Sequence, residues 1–123
     1  MARPKISLLP DTLDLAFYAG DGATIQLTVT DPEGAPVNLD GPVTAQIRVN
    51  KLSPAASATF DVDLTNGSLG VAVISLTGAQ TAALVGTNLN VFKGLWDVQW
   101  DPSDRDPVTL IQGRVECYAD VTR

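Results

Sequence analysis

Residues 14–39 read DLAFYAGDGATIQLTVTDPEGAPVNL, and this stretch decides the fold class. From Thr24 to Thr30, apolar side chains alternate with threonine and glutamine, the period-two pattern of a strand with one buried face and one wet face. Asp31-Pro32-Glu33-Gly34 supplies turn chemistry, because Pro fixes φ at the second position and Gly tolerates a positive φ at the fourth. The segment therefore predicts a strand, a Gly-Asp-Gly turn, a second strand and a further turn, so that the chain opens as an antiparallel sheet.

The same alternation continues along most of the chain. Strands are predicted at residues 13–19, 23–30, 43–50, 58–64, 69–76, 94–100 and 108–118. Thr77-Gly78-Ala79-Gln80 matches a capping box and predicts a short helical turn near residues 78–85. Many short strands separated by turns are typical of a sandwich. We therefore expect an all-β fold, a single antiparallel, immunoglobulin-like β-sandwich of about seven or eight strands at residues 13–123, preceded by an N-terminal arm at residues 1–12.

Local signals predict how some strands are joined or interrupted. Asn66-Gly67 favours a hairpin because both residues accept a positive φ, so the strand at 69–76 is expected to return antiparallel to the strand at 58–64. Within residues 69–76 the apolar positions change phase midway, which indicates a bulge or two buried faces. Gly113 predicts a bulge in the last strand.

Length, charge and hydropathy exclude several classes of protein. The 123 residues suit one hydrophobic core. A net charge of -6 with scattered basic residues would repel a polyanion, so we expect no nucleic-acid partner. No apolar run approaches the roughly 20 residues that cross a bilayer, so we expect no membrane insertion. The N-terminal apolar segment is also too short for a signal peptide, and we expect synthesis and folding in a cytoplasm.

The residue types offer little catalytic chemistry. The chain has no histidine, which removes the commonest general base and a usual zinc ligand. Asp61 and Asp63 share one face of a strand about 7 Å apart, a spacing that an inverting glycosidase can use, although a solvated face explains them as well. Asp101, Asp104 and Asp106 crowd a loop that could hold calcium, but the loop lacks the glycine and the closing Glu of an EF-hand. We assign no catalytic, cofactor-binding or metal-binding residue, and we expect no small-molecule substrate.

Two tryptophans and one cysteine allow more than one interpretation. Trp96 and Trp100 share a face of one strand, where they either fill the core or form a sugar-binding platform. Val98 lies between them in the same phase, which favours the core. Cys117 is the only cysteine, so no intrachain disulfide forms, and we expect it to pack as a small hydrophobe. A carbohydrate-binding or adhesin-like module therefore stays open as an alternative.

Four segments together carry a family resemblance. They are LAFYAGD at 15–21, LTVTDPEGAPVNL at 27–39, ISLTGAQTAAL at 74–84, and LWDVQW at 95–100 together with GRV at 113–115. In this order they resemble a small β-sandwich domain of tailed-bacteriophage virion proteins, including minor tail proteins of actinobacterial phages and the N-terminal part of some baseplate upper proteins. The resemblance implies a non-enzymatic structural protein of the virion, in the tail, baseplate or neck, which contacts other virion proteins and further copies of itself. A capsid decoration protein on the phage head is the alternative.

The N-terminal arm is the candidate partner-binding segment. Arg3 and Lys5 make it locally basic, and Ile6, Leu8 and Leu9 place three large aliphatic side chains within four residues. A disordered tail seldom carries so many large apolar side chains, although chain termini often fray. We therefore predict that these five residues dock onto a neighbouring subunit, with a frayed terminus as the other interpretation.

Overall fold

The structure, a computed structural model, describes residues 11–53, 55–86, 90–104 and 106–119. Within these ranges two β-sheets pack face to face around one core, with a single α-helix. The strands are β1 (Asp11–Thr12), β2 (Leu15–Tyr18), β3 (Ala23–Thr28), β4 (Val43–Arg48), β5 (Ala58–Thr59), β6 (Asp61–Asp63), β7 (Val71–Leu76), β8 (Val91–Trp100) and β9 (Val108–Tyr118); the α-helix is α1 (Gly78–Val85), and Gly67–Leu69 forms a 3-10 helix.

The strand order defines an immunoglobulin-like β-sandwich. The larger sheet has the order β1-β9-β8-β4-β5, with β2 also paired to β9, and the smaller sheet has the order β3-β7-β6. Neighbouring strands are antiparallel, except that β1 and β2 run parallel to β9. The predicted all-β sandwich with one short helix near residues 78–85 is confirmed.

The predicted opening hairpin is wrong, because β2 and β3 belong to different sheets. Leu15 pairs with Val115 of β9 in the larger sheet, whereas Ala23 pairs with Leu76 of β7 in the smaller one. The Gly20-Asp21-Gly22 turn therefore carries the chain from one sheet to the other, and the inner faces of β2 and β3 both contribute to the core. Period-two alternation identifies the buried face of a strand, but the same pattern arises whichever strand lies beside it.

The predicted strand at residues 58–64 likewise divides between the sheets. Ala58 and Thr59 pair with β4, while Asp61–Asp63 pair with β7. Phe60 lies at the crossing point, where its side chain is buried and its backbone N–H donates to the Ala45 carbonyl at 2.9 Å. A single amphipathic run thus supplies one strand to each sheet.

Strands β6 and β7 are antiparallel, as predicted. However, Asn66-Gly67 does not form a two-residue hairpin turn between them. Asn66 has a φ of -105°, and the 3-10 helix begins directly after it. The positive φ falls instead on Gly70, at 80°, where an added Cβ would lie 2.4 Å from the Val29 carbonyl oxygen. The reversal is therefore longer than the Asn-Gly signal predicts, and β7 begins only at Val71.

No bulge forms at either of the predicted positions, and for residues 69–76 the other alternative, burial of both faces, holds in part. Strand β7 pairs with β3 without interruption. Ala72, Ile74 and Leu76 are buried on one face, and Val71 and Val73 on the other face are partly buried. Leu69 lies outside the strand and is exposed. In β9 the pairing shifts between Ile111 and Thr109, opposite Val98 and Gln99 of β8. The extra residue of this bulge is therefore residue 110, three positions before the predicted glycine.

Both tryptophans lie in the core between the sheets. Trp96 is 2% exposed and Trp100 is 4% exposed. Each indole N–H donates to a backbone carbonyl, that of Leu13 at 2.7 Å for Trp96 and that of Asp40 at 2.6 Å for Trp100. The core interpretation is confirmed, because neither indole face is available to stack on a sugar.

Helix α1 begins with the predicted capping box and packs on the turn after β2. The Thr77 hydroxyl accepts from the Gln80 backbone N–H at 3.2 Å, and the Gln80 side-chain oxygen accepts from the Thr77 N–H at 2.8 Å. Thr81, which is fully buried, accepts from the Gly20 N–H and donates to the Asp21 carbonyl, both at 2.9 Å. Over the ranges that the structure describes, no helix is long and apolar enough to span a membrane.

Candidate functional site

The outer face of the larger sheet carries a hollow of about 690 Å³. Its floor is formed by outward-facing side chains of β4, β8 and β9, and its rims are formed by the loop after β4 and by the segment that joins β1 to β2. Because neighbouring residues of a strand point to opposite faces, the floor side chains alternate with the buried Ile47, Trp96, Val98 and Val115. The hollow is therefore separated from the hydrophobic core by the sheet itself.

One row across the hollow carries two arginines. Arg48 of β4 pairs with Leu95 of β8, and Leu95 pairs with Arg114 of β9. Neighbouring strands lie about 4.8 Å apart, so the Cα atoms of the two arginines are roughly 10 Å apart. Leu95 therefore lies between the two arginines in the row.

The adjacent row carries a carboxylate between two amides. Gln46, Asp97 and Gln112 are paired across β4, β8 and β9, and all three are partly buried. Burial raises the pKa of Asp97, and the positive charges of Arg48 and Lys51 offset part of that rise. The floor thus presents a charged acceptor and two amides beside the arginine row.

The first rim holds the Arg48 side chain in place. Its Nη1 donates to the Ser53 carbonyl at 2.9 Å, and its Nη2 donates to the Gln46 side-chain oxygen at 2.9 Å. Residues 50–53 form a compact turn in which the Asn50 side-chain oxygen accepts from the Leu52 N–H at 2.9 Å. The turn also brings Lys51 to the edge of the hollow, which adds a third cation.

The second rim depends on a break between β1 and β2. The Asp14 carboxylate accepts from the Arg114 backbone N–H at 3.0 Å, so a side chain takes the place of a ladder carbonyl. At the same point an added Cβ on Gly113 would lie 1.9 Å from the Leu13 carbonyl oxygen, so only glycine permits this approach. The Arg114 side chain is left on the exposed face of β9.

The charge of the hollow differs from that of the whole chain. Three cations, Arg48, Lys51 and Arg114, line the hollow together with two carboxylates, Asp14 and Asp97, so that its lining has a net charge of +1. The full sequence has a net charge of -6. The hollow is therefore a locally positive surface on an acidic protein, suited to an anionic group of limited size.

The predicted partner-binding residues of the arm, Arg3, Lys5, Ile6, Leu8 and Leu9, lie outside the described residues. Their docking role stays a prediction. The last two residues of the predicted 1–12 arm form β1, which pairs with Ile111 and Gln112 of β9. Within the described residues, the sheet therefore already includes Asp11 and Thr12, which the prediction assigned to the arm.

The other candidate residues do not gather into a site. Asp61 and Asp63 are exposed, and the hydroxyl and backbone N–H of Thr65 donate to Asp63 and lower its pKa. Cys117 is buried, as predicted, and burial raises the pKa of its thiol. Among the described residues, which include Asp101, Asp104 and Asp106, no three His, Cys, Asp or Glu side chains come together as a metal-binding group.

The hollow was not predicted from the sequence. The alternation in residues 43–50 does place Arg48 in the outward phase, and that in residues 94–100 does the same for Asp97. The missing information is the register, because only the pairing of β4 with β8 and of β8 with β9 brings Arg48 and Arg114 into one row. Local patterns in a single sequence do not reveal which residues lie opposite each other in distant strands.

Comparisons with known proteins add little beyond the fold. No protein-family model matches the chain, and no curated protein matches it. Thirty chains of solved structures match. One is described as the crystal structure of the ZIG-8-RIG-5 IG1-IG1 heterodimer, monoclinic form, with 10% sequence identity, a TM-score of 0.41, and coverage of 96% of this chain and 90% of that chain. This likeness assigns no activity or partner.

Proposed function

We propose that the chain is a non-enzymatic structural protein of a tailed-bacteriophage virion. In this role it is a minor tail, baseplate or neck component that contacts other virion proteins and further copies of itself. A capsid decoration protein on the phage head is the alternative location for the same kind of contacts. The proposal starts from the resemblance of four sequence segments to virion β-sandwich domains.

The observation that carries the proposal is that two of these segments, at 15–21 and 74–84, are bonded to each other in the fold. Thr81, from the segment at 74–84, bonds to Gly20 and Asp21, which end the segment at 15–21. The Thr81 carbonyl also accepts from the Cys117 thiol at 3.5 Å, two residues after the segment at 113–115. Residues of two matching segments that lie about 60 positions apart are therefore hydrogen-bonded to each other, which supports a shared domain architecture over chance similarity of turn sequences.

The positions of the side chains that were candidates for binding or catalysis also favour a structural role. The Trp96 and Trp100 indoles pack in the core, which removes the aromatic platform on which the carbohydrate-binding alternative depended. Asp63 bonds within its own turn. The described surface also carries a broad, charged hollow on a sheet face, the kind of surface that a protein partner covers.

The test is the composition of the virion. The phage that encodes the chain is grown, and its particles are purified on a density gradient and quantified by mass spectrometry. We expect the chain at a fixed copy number per particle, with a host protein of similar abundance in the lysate as the control for carry-over. An electron-microscopy map then distinguishes the tail, neck and head locations. Particles that lack the chain would overturn the proposal.

A further inference from the structure

We propose that the hollow over β4, β8 and β9 binds a carboxylate-rich segment of a partner protein. This inference deepens the proposed function. Only the identification of the partner as another virion subunit depends on that function. The binding chemistry rests on the row formed by Arg48, Leu95 and Arg114 and on the cation that Lys51 adds at one rim.

The arginine row matches the geometry of an acidic side chain. Two guanidinium groups on strands about 10 Å apart leave room between them for an extended chain that lies over Leu95 and turns one carboxylate toward each arginine. A guanidinium presents paired N–H donors that bind a carboxylate in a bidentate manner. The apolar floor at Leu95 accommodates the methylene groups of a glutamate side chain.

Arg48 is organised before any ligand arrives. Its bonds to Ser53 and Gln46 fix the guanidinium plane, and the remaining donors of its five N–H groups stay available. A side chain that is already ordered loses less conformational entropy on binding. Arg114, in contrast, is exposed and closes on the ligand from the other side.

The adjacent row selects a peptide over a compact anion. Asp97 accepts hydrogen bonds, and Gln46 and Gln112 both donate and accept, so this row suits the alternating N–H and C=O groups of an extended backbone. A bare phosphate or sulfate would use the arginines but leave this row without a partner. The hollow therefore suits a short acidic peptide, and the net charge of -6 disfavours a long polyanion such as a nucleic acid.

The test uses the isotopically labelled full chain and a tetraglutamate peptide, followed by NMR. We expect peptide-dependent shifts of the Leu95 and Asp97 backbone amides. Tetralysine and sodium sulfate, each at matched ionic strength, serve as charge controls, and we expect at most weak effects from both. Shifts that spread over the whole surface, or that are equal for tetralysine, would overturn the proposal. Equal affinity for sulfate would also overturn it and leave a simple anion site.

Matched variants separate the hollow from general electrostatics. Arg114→Gln removes one cation of the row, and Lys93→Gln removes one cation from the same outer face of β8 but outside the hollow. Because a hydrogen bond to a charged group contributes more than a neutral one, we expect Arg114→Gln to weaken tetraglutamate binding about tenfold. Lys93→Gln should weaken it less than twofold by screening alone. Equal losses in the two variants would contradict the proposed row.

The outcome is independent of the virion experiment. Binding of tetraglutamate by the purified chain does not require that the chain be found in phage particles. A chain that binds the peptide but is missing from particles would keep the carboxylate site and overturn only the proposed function. A chain that is present in particles but does not bind the peptide would keep the proposed function and overturn the carboxylate site.

Discussion

At the scale of single residues, Trp96 joins parts of the molecule that are far apart in sequence. Its indole lies between the sheets, with its ring centroid 5.9 Å from that of Phe60, and its N–H reaches the Leu13 carbonyl across 83 positions of sequence. Phe60 is the residue at which the chain changes sheets, and Leu13 lies at the break between β1 and β2. One side chain therefore contacts two irregular points of the larger sheet, the sheet change at Phe60 and the break between β1 and β2.

Trp96→Ala should destabilise the fold strongly. Removing a buried indole leaves a cavity and an unsatisfied carbonyl, and such a substitution costs on the order of 3 to 5 kcal/mol. Urea unfolding of the purified variant measures the loss. Leu52→Ala is the control, because Leu52 is 93% exposed and should unfold like the parent. An unchanged unfolding midpoint for Trp96→Ala would contradict the core placement.

Asp97 gives the molecule a pH-dependent stability with a defined sign. Its pKa is raised in the folded state, mainly by burial, so ionising it disfavours folding once the pH rises above the ordinary Asp value of about 3.9. Asp97→Asn should therefore raise the melting temperature at pH 7, and this gain should shrink as the pH falls toward 4. Thermal melts at several pH values check this. A lower melting temperature at pH 7 would show that the charges of Arg48 and Lys51 outweigh burial.

At the scale of elements, the capping box explains why so short a helix forms. Helix α1 has only eight residues, too few to be stable alone in water. The reciprocal bonds between Thr77 and Gln80 satisfy backbone groups at its start, and Thr81 fastens it to the turn after β2. Gly78 is required there, because an added Cβ would lie 2.4 Å from the Gly20 carbonyl oxygen.

Thr77→Ala should cost about 1 kcal/mol of unfolding free energy, the usual effect of removing an N-cap hydroxyl. Thr77→Ser keeps the hydroxyl and should retain nearly all of the stability. Chemical denaturation of both variants, followed by circular dichroism, provides the comparison. Equal losses for the two substitutions would show that the hydroxyl contributes nothing to the helix start.

The capping box could be predicted from the sequence because all of its hydrogen-bonding partners lie within four residues. The inward phases of β4 and β8 were readable for the same reason, since alternation is a local property. The points at which the chain passes from one sheet to the other, at Gly20-Asp21-Gly22 and at Phe60, could not be predicted from the sequence. Each depends on which distant strand offers free hydrogen-bonding groups. The alternation in the predicted strand at 43–50 places Val49 in the same inward phase as Ile47, but this prediction is wrong: Val49 is 56% exposed, because β4 ends at Arg48.

At the scale of the whole molecule, the fold class could be predicted but the candidate site could not. The number and spacing of amphipathic runs are sufficient to indicate a sandwich. The hollow requires the register of three strands, the residue 110 bulge in β9 and the close approach that Gly113 permits. None of these leaves a local signature of its geometry, so the positive surface on an acidic chain emerges only in the folded state.

The last prediction concerns the segment before Asp11. Because the described sheet begins with the pairing of Asp11 and Thr12 to β9, deleting residues 1–9 should leave a folded, soluble domain with an unchanged melting temperature. Deleting residues 1–12 is the matched control, and it should lower the melting temperature because it removes β1. A destabilised 1–9 deletion would show that the folded body starts earlier than β1.

Under the proposed docking role, the same 1–9 deletion should abolish incorporation into virions. It removes Arg3, Lys5, Ile6, Leu8 and Leu9, and burying each large aliphatic side chain on a neighbour contributes about 1.5 to 3 kcal/mol before ordering costs. Counting copies of the truncated chain in purified particles, beside the full-length chain, measures the effect. Normal incorporation would refute the docking role and return the segment to a frayed terminus, while loss of incorporation by a fully folded truncation would place the assembly contact in these nine residues.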